Sequence, residues 1–233
     1  MKSKAINIFV ASIVLLLGQV RAQQVKVLKD SVQIDGIYYV LEEIKLDNKN
    51  VPLSAIYQKI RNPHILGSYI SATPEQRLSA KKDTLKALMT SGELRQSGYG
   101  FEHYEVFYHK SGILNLLVNV QSYGSPFETK RYHCFDLNTG KILGKALFAN
   151  HESLLEVLSE KLKMQKKGIK VSPAALDQYQ IISDEKGHLN EIIFCITDTG
   201  QYRNSGYETF EVRLGKKELA FYLTPQFRKR LLE

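Results

Sequence analysis

Two strand-like runs facing each other across a tight break constrain this chain more than any other feature. "EHYEVFYH" (Glu102–His109) and "ILNLLVNVQSY" (Ile113–Tyr123) are rich in β-branched and aromatic residues and flank Lys110-Ser111-Gly112. Runs of that kind around a short glycine-containing turn read as an antiparallel hairpin. Leu114, Leu116, Val118 and Val120 then share one side of the second strand, and Asn115, Leu117, Asn119 and Gln121 the other.

The rest of the chain follows the same grammar. Gln24–Leu46 reads as two or three strands broken at Asp30 and at Asp35-Gly36. A short helix is expected around Ser54–Ile60, ended by Asn62-Pro63. Thr73-Pro74-Glu75-Gln76 is a capping box with proline at the first helical position. The helix it opens carries Leu78, Leu85, Leu88 and Met89 on one face and runs from Pro74 to Ser91, where Gly92 stops it. "KRYHCFDL" is the next strand, and "KILGKALF" is expected to continue as a strand after the Asn138-Thr139-Gly140 turn.

A second helix is predicted over 150–167, with Asn150 as N-cap, Gly168 as the stop and Leu154, Leu155, Leu158 and Leu162 as its apolar stripe. Glu152, Glu156 and Glu160 come early in it and Lys161, Lys163, Lys166 and Lys167 late, an order that complements the helix dipole. "YQIIS", "NEIIFCITD", "YETFEVRL" and "ELAFYLT" read as further strands, and "PQFRKRLLE" as a last helical turn. The expected fold class is α+β: a mainly antiparallel sheet built of hairpins, with at least two amphipathic helices packed on it.

The first residues are not read as part of that fold. Lys2 and Lys4 precede an apolar run, Ala5–Leu17, and Val20-Arg21-Ala22 offers a small-residue cleavage site. This is the pattern of a secretory signal peptide over residues 1–22, and the run falls short of the ~20 apolar residues of a membrane span. The expected location is periplasmic or secreted, with no stable span after cleavage. Removing Lys2, Lys4 and Arg21 lowers the net charge from +8 to +5. A modest surplus of that kind, in an exported chain, argues against nucleic acid as the partner. The remaining residues divide into an N-terminal strand and helix part, 23–97, and a strand-rich part, 98–233. Cys134 and Cys195 both lie in apolar strand runs. An oxidising compartment allows a Cys134–Cys195 disulfide, and buried free thiols are the alternative.

No motif for catalysis or cofactor binding survives inspection. Asp198-Thr199-Gly200 matches the catalytic triplet of aspartic proteases, but that chemistry needs two carboxylates sharing a proton, and Thr197 and Gln201 replace the usual flanks. The triplet reads as a turn after a strand. Asp136-Leu137-Asn138-Thr139-Gly140 opens like a calcium loop, but the twelfth position is Leu147 where an EF-hand needs glutamate. His103 and His109 share a strand face with Glu105 between them, without the spacing of a zinc site. No metal or cofactor is expected. Tyrosine, with its apolar ring and polar tip, suits a recognition surface. The aromatic run Gly98–Tyr108 therefore supplies the candidate ligand-binding residues Tyr99, Phe101, Tyr104 and Tyr108.

Tyr104–Lys163 resembles the extracellular domain of RsiV-type anti-sigma factors, which also accompanies some peptidoglycan deacetylases. The shared pattern is a strand ending in Phe135-Asp136-Leu137, a Thr139-Gly140 turn, Leu147-Phe148 and the helix from Asn150. The resemblance implies an exported α+β domain that recognises something in the cell envelope; in the anti-sigma factors the partner is lysozyme. A leader stands here in place of a cytoplasmic sigma-binding segment, no deacetylase domain is expected, and a positive chain gains no long-range attraction to basic lysozyme. The function expected is an exported, non-catalytic binding module for an envelope protein or glycan. The alternative is an envelope hydrolase whose site is assembled from scattered residues, with Asp198 and the histidines as candidates.

Overall fold

The computed structural model describes residues 25–47, 53–60, 73–126, 128–166, 168–203 and 206–232, side chains 199–203 and 206–207 excepted. Residues 1–22, where a leader is expected, and the expected Asn62-Pro63 break lie outside the described residues. Described strands form three antiparallel sheets. The first is the hairpin of β1 (Val25–Ile34) and β2 (Ile37–Leu46). The second has the order β3 (Gly100–Lys110), β4 (Ile113–Ser122), β5 (Glu128–Asp136) and the short β6 (Lys141–Ile142). The third is β7 (Tyr179–Ser183), β8 (Leu189–Arg203) and β9 (Gly206–Gly215). Helices α1 (Leu53–Ile60), α2 (Pro74–Thr90), α3 (His151–Gln165), α4 (Lys216–Leu219) and α5 (Pro225–Leu232) pack around them. The α+β class is as the hydrophobic patterning predicts.

Local chemistry explains these elements. Asp35 and Gly36, both at positive φ, make the two-residue turn that matches strand twist in a hairpin. Ser111 and Gly112 do the same between β3 and β4. Thr73 and Gln76 form the full capping box at the start of α2. Leu154, Leu158 and Leu162 are the buried stripe of α3. Asn150 does precede α3, but its backbone is left-handed and its side chain makes no capping bond; the His151 Nε2 instead lies 2.9 Å from the Lys145 carbonyl and 3.0 Å from that of Phe148.

The apolar core falls into three clusters. One lies between the third sheet, α3 and the two C-terminal helices; one joins β2 and α1 to β3–β5; one seats β1 and β2 on α2 with Tyr99 and Phe101. Two of the three thus draw on both sides of residue 98.

One side chain joins the second sheet to the third. Asn115, completely buried on β4, donates from Nδ2 to the carbonyls of His133 and Tyr179, each at 3.1 Å, and accepts the Ile181 N–H at 2.7 Å. Strand β7 covers that part of the sheet, so the expected polar face of β4 is interior there.

Three segments depart from expectation. Strand β6 stops after two residues, and Gly144–Leu147 forms a 3-10 turn, because Gly144 takes a positive φ and the Asp177 carboxylate accepts the Lys145 N–H at 2.7 Å. "ELAFYLT" is not a strand: Glu218 accepts the Gly215 N–H at 3.1 Å and starts α4. Asp198-Thr199-Gly200 is not a turn. Strand β8 runs on to Arg203, and its register with β9 breaks between Thr197 and Tyr202, so the triplet lies in a bulge that absorbs the extra residues.

The Asp136–Gly140 stretch is a tight turn. Gly140 donates its N–H to the Asp136 carbonyl at 2.7 Å and has φ +69°. Asp136 also accepts the Asn138 N–H at 3.0 Å and a two-pronged pair from Arg230 of α5 at 3.1 and 3.2 Å. Gly140→Val should cost about 1–3 kcal/mol, because valine is strained at that φ, and thermal melting measures it. Asn115→Ala should cost about 2–4 kcal/mol in denaturant unfolding, since it leaves buried backbone groups of β5 and β7 without partners.

Candidate functional site

Helix α2 turns two cations into the protein interior. Arg77 and Lys81, one helical turn apart, are only 2% and 3% exposed. Glu42 and Glu43 of β2 and Glu102 of β3 are buried with them. Glu43 is shared, with Arg77 Nε at 3.2 Å and Lys81 Nζ at 2.9 Å, while Lys81 also touches Glu102. The Arg77 guanidinium lies 3.5 Å over the Tyr57 ring, and the Tyr104 hydroxyl is 3.4 Å from Lys81 Nζ.

The same residues close the outer edge of β2. Lys81 donates to the Glu42 carbonyl at 2.7 Å, Arg77 to that of Ile44 at 3.4 Å, and the Leu46 N–H reaches the Tyr57 hydroxyl at 3.2 Å. Glu42 bridges to β3 by accepting the Tyr104 N–H at 2.8 Å and to β1 through Lys29 at 2.8 Å. Burial pushes the Glu42 carboxyl up, but Lys29 and the Tyr104 N–H outweigh it and hold it below the usual range. For Glu102 burial wins over the attraction of Lys81, and its carboxyl is raised.

Next along β2 and β3 from this cluster lies a groove of about 250 Å3 between the tip of the first hairpin and the ends of β3 and β4. Tyr39 and Phe101 stack with ring centroids 4.9 Å apart, and Tyr123 lies 5.8 Å from Tyr39. Tyr38, 70% exposed, stands beside them, with Ile37 and Val40 also exposed. His103, Gln121, Ser122 and Ser125 supply polar groups. Backbone groups of Glu42, Ile44 and Leu46 point away from β1, and strand alternation gives Tyr38 and Val40 the same outward direction. Their N–H and C=O groups therefore lie along the same edge at the groove, where no further strand pairs with β2 among the described residues. The arrangement offers ring faces for stacking and a line of hydrogen-bonding groups beside them.

The four aromatic residues singled out in the sequence are all buried: Tyr99, Phe101, Tyr104 and Tyr108 are 1%, 5%, 8% and 3% exposed. They do not form one surface. Phe101 lines the groove. Tyr99 packs edge-on against Phe101 and donates to the Lys81 carbonyl at 3.2 Å. Tyr104 belongs to the charged cluster, and Tyr108 to the core beside Cys134. Sequence reasoning missed Tyr38, Tyr39 and Tyr123. The available signal was the Tyr38-Tyr39 pair directly after the Asp35-Gly36 turn, where a strand leaves its tip uncovered.

Of the two readings of the cysteines, the structure has the buried thiols and not the disulfide: Cys134 and Cys195 are both free and buried. Cys134 is on β5 in the core with Tyr179, and Cys195 is on β8 of another sheet, with Gln180 Nε2 3.8 Å from its sulfur. Burial pushes the Cys134 thiol up to about 12. Burial likewise lowers His133 to about 4 and lowers His109. His103 lies 3.7 Å from Glu42 and not with His109. Among the described residues no cluster of His, Cys, Asp or Glu is placed to hold a metal, and no helix is long and apolar enough to cross a membrane. Compared with models of known protein families and with curated proteins, the chain matches none.

Lys81→Met should destabilise the protein by about 3–5 kcal/mol, because it strands buried carboxylates without their cation. Glu102→Gln should behave differently. A carboxyl raised by folding adds stability that is full below its unfolded pKa and is lost as pH rises through the folded value. The amide should therefore raise the melting temperature, relative to wild type, more at pH 8 than at pH 4.

Proposed function

We propose that this chain is an exported binding module that recognises a protein or glycan of the cell envelope without catalysing its conversion, and that the groove at the first hairpin is its recognition surface. The observation that carries this reading is the stack of Tyr39, Phe101 and Tyr123 with the exposed Tyr38 at its rim. Aromatic rings with polar tips dominate recognition surfaces because they bury large area at small cost in side-chain freedom. Sugar rings and extended peptides both stack on such a floor, and the outward N–H and C=O groups of Tyr38 and Val40 suit the hydrogen-bonding edge of either. The leader and the resemblance to RsiV-type domains support an envelope ligand.

The test is retention of envelope material by immobilised protein. Tyr38→Ala, which removes an exposed ring, should weaken retention by about tenfold or more, the scale of an aromatic hot spot, and should leave thermal melting unchanged. Digestion of the retained material with protease or glycosidase separates the two ligand classes. Equal retention by Tyr38→Ala and a Tyr123→Ala partner would remove the groove from the function.

A further inference from the structure

At the far end of the β3–β4 hairpin from the groove, four segments converge. Lys110 Nζ donates to the Lys186 carbonyl of the β7–β8 turn at 2.6 Å. Lys216 donates to the Leu232 carbonyl of α5 at 3.2 Å, and Arg230 of α5 donates to the Ser111 carbonyl of the β3–β4 turn at 3.0 Å. Three hydrogen bonds, with a longer-range attraction between Asp184 of the β7–β8 turn and Lys216 of α4, close a ring.

The ring is strongly basic. Lys110, Lys186, Lys216, Lys217, Arg228 and Lys229 are all exposed. Of the acids in the same segments, Glu218 is paired with Lys161 at 2.8 Å, which among the described residues leaves Asp184 and Glu185 to offset the six bases. Asp136 is taken by Arg230. One turn beyond Lys217 stands Phe221, 75% exposed.

We propose that this end of the molecule docks on an anionic lipid surface. Clustered bases are drawn to a negatively charged leaflet, each contributing near the surface. A soluble polyanion would satisfy the charges equally well but has no use for the exposed phenyl ring. The interfacial zone of a bilayer accepts both, apolar group inward and cations at the headgroups. Docked in this way, the protein holds the groove away from the membrane, since the two lie at opposite ends of β3 and β4. The proposal stands independently of what the groove binds.

The test uses the full chain with phosphatidylcholine vesicles and with equimolar phosphatidylcholine and phosphatidylglycerol vesicles, read by co-sedimentation. Residues 1–22 carry Lys2, Lys4 and Arg21 and are common to every variant, so comparison of each variant with wild type on the same vesicles separates their contribution from that of the ring. Retention on the anionic vesicles should exceed that on neutral ones about tenfold or more in low salt, and fall as salt screens the charges. The double variant Lys217→Gln, Lys229→Gln should lose most of that excess, at about fivefold per base. Phe221→Ala should reduce anionic retention with charge unchanged, and melting curves confirm that each variant is folded. Equal retention on both vesicle types, or wild-type retention by the folded double variant, overturns the proposal. Tight binding of heparin with no effect of Phe221→Ala on vesicles makes the surface a polyanion site instead.

Discussion

The meeting of β2, α2 and β3 depends on five charged side chains removed from water together. Arg77 and Lys81 are buried against Glu43, with Glu102 beside Lys81, and Glu42 is buried against Lys29 and the Tyr104 amide. Such a group adds little net stability over an apolar replacement, because desolvation consumes much of the Coulombic attraction. Its effect is geometric. Two lengths of helix and strand that carry only weak apolar stripes are held in one register, and the tip of the first hairpin is left projecting beside β3 and β4.

That projection is what makes the groove. Along Glu42 to Leu46 the outer edge of β2 is occupied by Lys81, Arg77 and Tyr57. Toward Tyr38 the contacts of α2 become apolar, through Leu85, Leu88 and Met89, and aromatic rings replace the ions. A single strand thus changes character along its length, closed by side chains at one end and open at the other. The stacked rings are fixed from below by Tyr99, so a ligand meets a surface already in place and little side-chain freedom is lost on contact.

Features governed by local chemistry were legible in the sequence. The capping box at Thr73, the leucine stripe of α3, the β3–β4 hairpin and the Gly140 turn each follow from spacing and backbone preference within a few residues. The failures have other causes. A distant carboxylate, Asp177, pulls the chain out of β6; the cap that Glu218 makes on Gly215 starts a helix at Lys216, so "ELAFYLT" holds that helix's end and a turn; a bulge lets β8 run through Asp198-Thr199-Gly200. The candidate site was legible only in its residue types. Aromatic density pointed to Gly98–Tyr108, but strand alternation and the approach of α2 placed those rings inward and left the exposed ring to Tyr38. A helix face that shows Arg77 and Lys81 reads as solvated until Glu43 and Glu102 are known to cover it.

The pairing of Asp136 with Arg230 spans 94 positions, and that of Ser111 with Arg230 spans 119. Hairpins close over a few residues, whereas a contact of this reach closes a loop that contains the whole third sheet, at a greater entropic cost. Loss of the last helix would leave Asp136 without its guanidinium partner and the Ser111 carbonyl without its donor, so the β3–β4 turn takes part of its definition from the far end of the chain.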